Sequence, residues 1–159
     1  MNKEELVLKK LIEILEMELK ELQEVAQHSK EDATNSEMKQ DGKYDTRKIE
    51  ASYLAGAQER RVHEVEQELN FLKTLKIPEH GSTIEVGMLF KLEHEGKVHT
   101  HAIYPCAGGH HLDINGEEII VLSHVSPVGE EALGLDLGDT FEVELANREI
   151  EYRILPLNN

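Results

Sequence analysis

No proline occurs between Glu4 and Lys76, and the first in the chain is Pro78. A stretch that long without a breaker is free to be helical throughout, and the spacing of its apolar residues decides whether it is. Leu8, Leu11, Ile12, Leu15, Leu19, Leu22 and Ala26 recur at intervals of three and four, which gathers them into one stripe along a helix. Ala51, Leu54, Ala55, Val62, Val65, Leu69 and Leu72 repeat the pattern. Between the two stripes lies QHSKEDATNSEMKQDGKYDTRK, polar throughout, with Gly42 near its centre. Two periodic arms about a polar turn predict an antiparallel αα-hairpin over residues 1–76, zipped as a coiled coil and reversing between Glu37 and Lys48. Gly56 interrupts the second arm at a cost on the order of 1 kcal/mol relative to alanine, and marks a kink or a close helix approach.

Beyond Lys76 the period changes from helical to alternating. Pro78 stops the helix, and residues 77–81 read as a linker. Ile84, Val86, Met88, Phe90 and Leu92 alternate as a half-buried strand does, and Val98, Thr100, Ala102 and Tyr104 continue the pattern after a turn at HEGK. A third strand, EEIIVLSH, follows the Asn115-Gly116 turn; a fourth holds Phe141, Val143 and Leu145, and a fifth Ile150, Tyr152 and Ile154. Between the third and fourth, Ser126 is placed to cap and Pro127 to begin a short helix that Gly134 or Gly138 ends. The fold class expected is α+β: a helical hairpin, then an antiparallel sheet over residues 82–159 carrying one short helix.

Charge narrows the function. The chain carries 17 basic and 32 acidic residues, net −15. The first 78 residues hold 13 and 17, and the remainder 4 and 15, so the C-terminal part is the acidic one at −11. Such a field repels phosphate backbones, which argues against direct sequence-specific DNA binding and for a basic or apolar protein partner or a metal ion. The N-terminus alternates charge with apolar residues and reads as neither signal peptide nor membrane span. With Cys106 the single cysteine, no internal disulfide forms and a four-cysteine zinc site is excluded. A cytoplasmic protein is expected. The run HTHAIYPCAGGHH places His99, His101, Cys106, His110 and His111 together, ligand types that zinc takes. The expectation is that His99 and His101 are solvent-facing strand residues and that no metal of the chain's own is held. Gly108-Gly109 lacks the following helix of a phosphate-binding loop.

The stretch SHVSPVGEEALGLDLGDTFEVE, from Ser123 to Glu144, together with the two-part layout, resembles the bacterial Gre transcript-cleavage factors and their relatives. In that family a strand enters a Ser-Pro turn, a short helix ends in a Leu-Gly-like step, and a Gly-Asp pair opens the next strand; Ser126, Pro127, Leu133, Gly134, Gly138 and Asp139 match. The resemblance implies an FKBP-like C-terminal domain that docks on RNA polymerase through this motif. It also implies a coiled coil inserted into the secondary channel, with no catalysis by the factor alone. The activity it implies is promotion of backtracked-RNA cleavage by tip acids that share the Mg²⁺ of the polymerase active site, an ion that needs only one or two protein carboxylates beside phosphate oxygens. Aligned without gaps, Asp41 falls on the first tip acid and Tyr44 on the second, with Asp45 one residue further. A register shifted by four brings Glu37 into the first place and leaves Gln40 in the second. The run DGKYDTRK lacks the family's Asp-x-x-Glu-Asn-Ala-Glu-Tyr pattern. A Gre-like channel binder that regulates or inhibits polymerase without cleavage is therefore the alternative. An FKBP-type isomerase or chaperone is a third reading. It is disfavoured because such sites are lined by aromatics, and the C-terminal half offers Phe90, Tyr104, Phe141 and Tyr152, which its strands use.

Overall fold

The computed structural model describes residues 1–37, 42–79 and 81–157; within its helices the side chains of residues 26, 29–37 and 42–55 lie outside that description. Two helices, α1 (Lys3–Glu37) and α2 (Gly42–Thr74), precede β1 (Leu89–His94), β2 (Lys97–Tyr104), β3 (His111–Ile114), β4 (Glu117–Ser123), α3 (Pro127–Ala132), β5 (Thr140–Leu145) and β6 (Arg148–Leu155). The chain forms two compact units, one of Ile12–Thr74 and one that joins Met1–Leu11 to Leu75–Asn159. No helix among the described residues is long and apolar enough to cross a membrane.

In the helical unit Leu15, Val65, Leu69 and Leu72 are buried, and all four belong to the stripes read from the sequence. Their flanks are tied by charge. Arg61 reaches Glu18 at 2.7 Å, Glu64 at 3.2 Å and Glu68 at 3.5 Å, and Lys73 reaches Glu16 at 3.2 Å. These pairs are partly exposed, so each contributes well under about 1 kcal/mol and serves alignment more than stability. The Glu18 carboxylate is the main reason the Arg61 guanidinium holds its proton more firmly than usual. Ala51, Leu54 and Ala55, also assigned to the seam, fall outside the described side chains.

Gly56 is exposed, and among the described residues a Cβ built on it meets nothing within 4 Å, so no close approach by them requires this glycine. Gly56→Ala is expected to stabilise the chain by roughly 1 kcal/mol through backbone entropy alone, read as a higher midpoint in urea unfolding. A lowered midpoint would show that the glycine serves the backbone in some other way.

The second unit is a six-stranded sheet in the order β3-β4-β2-β1-β6-β5. The expectation of a wholly antiparallel sheet is corrected here: β2 and β4 run parallel, Thr100 beside Ile119 and Tyr104 beside Ser123. The cause is β3, a four-residue strand that reverses the chain between them and pairs antiparallel with β4, Leu112 beside Ile119. The segment around Gly108-Gly109 is thus a crossover connection and not a hairpin turn. The first strand also begins later than the alternation suggests, at Leu89 instead of Ile84. Gly87, at φ +88°, breaks the strand at a place where an added Cβ would meet Leu75, Pro78 and Tyr104 within 4 Å. Three two-residue turns place both central residues at positive φ: Glu95-Gly96, Asn115-Gly116 and Ala146-Asn147. That geometry matches the twist of the strands they join.

Both faces of this sheet carry buried residues. Phe90, Leu92, Ile103, Phe141, Tyr152 and Ile154 form one face with Ala132 of α3, and Phe141 stacks on Tyr152 at 5.3 Å. The other face holds Leu89, Ala102, Tyr104, Ile119 and Val121, all buried, in the unit where Val7 and Leu11 of α1 are also fully buried. Lys3 forms an ion pair with Glu117 of β4, and Thr100 donates to the same carboxylate at 2.7 Å. These two donors, Lys3 first, hold the Glu117 carboxyl below its ordinary pKa.

Candidate functional site

Six matched residues, Ser126, Pro127, Leu133, Gly134, Gly138 and Asp139, lie in one connection between β4 and β5, and the fold uses each of them. Ser126 has an extended backbone, and its Oγ accepts the Gly129 N–H at 3.1 Å while donating to the Ser123 carbonyl at 2.7 Å. That is the N-cap bond that satisfies an otherwise orphan helix donor, and Pro127 follows where a missing N–H costs nothing. Leu133 caps the far end, its N–H bonded to the Gly129 carbonyl at 3.1 Å. Gly134, at φ +88°, turns the chain so that its N–H reaches the Ile84 carbonyl at 3.0 Å. Gly138, at φ +93°, donates to the Ile154 carbonyl at 2.7 Å. Asp139 Oδ2 accepts the Asp136 N–H at 2.9 Å, and its carbonyl accepts the Ile154 N–H at 2.9 Å.

Two glycines outside that set fix the connection more tightly. A Cβ on Gly129 would stand 2.0 Å from the Ser123 carbonyl oxygen, and one on Gly108 would stand 2.8 Å from the Ser123 Cβ and 2.9 Å from its nitrogen. Ser123 is therefore clasped between the β2–β3 crossover and α3. The signal was in the sequence: a glycine inside a helix of six residues has no propensity reason to be there. What this rigid turn presents outward is Val125, 69% exposed, beside exposed Pro127. The bonds around Ser123 and Ser126 thus hold Val125 outward on a turn of one shape.

The acids assigned to the helical turn are placed as follows. Glu37 is the last residue of α1 and Asp45 stands in the first turn of α2, both with side chains outside the described residues, and Asp41 falls in the undescribed segment 38–41. Among the described residues, no group of three His, Cys, Asp or Glu is arranged to hold a metal ion.

His101 departs from the expectation of a solvent-facing strand residue. It lies opposite Phe90 across β1 and β2, and His99 lies opposite Leu92, so both point to the Phe90 face of the sheet. His101 is only 8% exposed. Burial, before any neighbouring charge, pushes its imidazole down to about 4. Tyr104, on the other face, is raised above the ordinary phenol value by burial. Cys106 is buried.

No family model matches the chain. Among curated proteins it is similar to the transcription elongation factor GreA of Thermomicrobium roseum, 25% identical over 140 residues that span 83% of this chain and 80% of that protein. Among solved structures it is similar to GreA factor homolog 1 (Gfh1) of Thermus thermophilus, at 21% identity and TM-score 0.36 over 91% of this chain and 92% of that one. Gfh1 of Thermus aquaticus is similar at 22% identity and TM-score 0.38, covering 90% of each chain.

Proposed function

We propose that this chain, a divergent relative of the Gre-type transcription elongation factors, binds RNA polymerase and acts on transcript elongation as a non-enzymatic factor. The observation that carries the reading is the β4–β5 connection, where the motif that resembles the family is built into a rigid turn with Val125 exposed upon it. The curated relative, matched over most of both lengths, supports the same reading. Docking falls to the C-terminal unit, through the turn set by Ser126, Pro127, Leu133, Gly134, Gly138 and Asp139. The strongly acidic balance of this part suits a basic or apolar rim on the partner.

In this reading α1 and α2 form an antiparallel coiled-coil hairpin that enters the secondary channel, and the sheet unit is the FKBP-like domain that holds the rim. The turn acids Asp41 and Asp45, or Glu37 in the alternative register, then meet the polymerase active site. There they would help hold its Mg²⁺ and orient water for cleavage of backtracked RNA. The departure of DGKYDTRK from the family pattern favours a second reading, in which the same channel is occupied without cleavage.

Docking is tested by binding of the full chain to bacterial core polymerase in a pull-down and by titration. Wild type is expected to form a complex, and Val125→Glu to weaken it about tenfold or more while leaving thermal unfolding unchanged, because the residue is exposed. Absence of any complex with wild type would remove polymerase from the account. Undiminished binding by the variant would move the contact away from this turn.

A further inference from the structure

Four histidines share the Phe90 face of the sheet. His101 lies opposite Phe90 and beside Ile120, and His99 lies opposite Leu92; alternation adds His94 from β1, and His111, opposite Ile120, adds a ring from β3. The rings are close: His94 to His99 at 6.3 Å, His99 to His101 at 6.4 Å, His101 to Phe90 at 6.1 Å and His94 to Tyr152 at 5.0 Å. Nδ1 of His94 and of His101 is buried with no hydrogen-bond partner among the described residues.

A backbone hydrogen bond at Ile120 favours protonated His101, but burial outweighs it; Lys97, opposite His94, adds like charge, and Glu95 is held by Arg148 at 2.7 Å. On β4, Glu118 accepts from His111 Nδ1 at 2.6 Å, and on β3, Asp113 Oδ1 accepts the Gly116 N–H at 2.8 Å. From β5 and β6 come Phe141, Val143 and Tyr152, and from α3 Val128 and Ala132, while Glu130 and Glu131 of that helix are exposed. A proton on buried His101 thus places a cation among aliphatic groups and beside another imidazole.

We propose that His101, buried in this imidazole row, makes the sheet unit acid-sensitive: neutral, it packs β1 against β2 and their neighbours, and protonated, it loosens that face. The sign follows from His101. Its folded value is depressed from 6.5 to about 4, chiefly by burial and then by the charge of His99. A base held neutral by the fold contributes stability that is complete above about pH 6.5 and is lost as pH falls toward about 4. That window opens above the ordinary carboxylate range, which separates it from the titration of the acidic residues.

Urea unfolding of the full chain measures it. Between about pH 7.5 and about pH 5.5 the unfolding equilibrium constant is expected to rise roughly tenfold from His101 alone. His101→Gln is expected to remove most of that rise, and His99→Gln to make it shallower by taking away one repelling charge. Proton NMR of wild type supplies a readout that needs no variant: the His101 ring is expected to titrate below about pH 5. A flat unfolding constant across the window, a wild-type rise in His101→Gln, or titration of His101 near the ordinary value of about 6.5 would each overturn the proposal.

Discussion

Replacing Gly129 by alanine is expected to cost the sheet unit several kcal/mol, more than about 4, and at ordinary marginal stability to leave little of it folded at physiological temperature. Helix propensity alone gives the opposite sign, since alanine at an interior position is favoured over glycine by about 1 kcal/mol. The geometry decides. A methyl group 2.0 Å from the Ser123 carbonyl oxygen and 2.9 Å from Ser126 Oγ overlaps atoms that cannot both move. The carbonyl already accepts the Ser126 Oγ–H at 2.7 Å and the Ser126 N–H at 3.1 Å, and Ser126 Oγ accepts the Gly129 N–H at 3.1 Å. Relieving the clash breaks the cap. Gly134→Ala supplies the comparison, because a Cβ there meets nothing within 4 Å and only the positive φ opposes it. It is expected to cost roughly 1–2 kcal/mol. Denaturant unfolding of the two variants beside wild type orders them; a Gly129→Ala protein as stable as Gly134→Ala would mean that Ser123 is not held as described.

The contrast between these glycines shows where the sequence was informative. Gly134 and Gly138 were visible as helix and turn punctuation because positive φ leaves a compositional trace. Gly129 answers to Ser123 and Ser126 within its own turn and left a trace as a glycine inside a short helix, whereas Gly108 answers to Ser123 across the β2–β3 crossover, an approach that no local pattern reports. The sheet divides the same way. Period-two alternation marks the strands and the Asn-Gly pair marks the turn at Asn115-Gly116, but HLDI is too short and too mixed to announce itself as a strand. Missing it turned a parallel pair into an expected antiparallel one. The burial of His101 is not legible for a related reason: alternation says which residues share a face, and only the second layer says whether that face is wet. Here Ala132 and Val128 of α3 pack with Phe90, Phe141 and Tyr152 on the face that His101 shares. In the helical unit Leu15, Val65, Leu69 and Leu72 stood in the stripes from the start, whereas Val7, fully buried, lies one position off the N-terminal stripe and answers to the sheet unit it belongs to.

Under the proposed function, the double change Asp41→Asn with Asp45→Asn is expected to reduce cleavage of backtracked RNA by about 100-fold or more, to the polymerase's own background, while binding to polymerase stays within about twofold. Amides keep the shape of the side chains and remove the charge that would help hold a metal ion, and removal of one electrostatic contributor of this kind typically costs 10²–10³ in rate, about 3–4 kcal/mol. Binding persists because docking is assigned to the β4–β5 turn of the other unit. Stalled elongation complexes with end-labelled RNA, given wild type or the double variant with and without an authentic cleavage factor, resolve the readings together. Shortened RNA with wild type and intact RNA with the variant supports tip chemistry at Asp41 and Asp45. Equal shortening by both moves the chemistry to Glu37, whose replacement by glutamine then becomes the deciding change. No shortening by wild type, with loss of the authentic factor's cleavage in proportion to added protein, supports a channel occupant that does not cleave. That outcome would follow from the sequence itself, since either register of DGKYDTRK leaves one of the two acidic places to Tyr44 or Gln40. Neither cleavage nor competition would remove the secondary channel from the account, even if the β4–β5 turn still bound the polymerase.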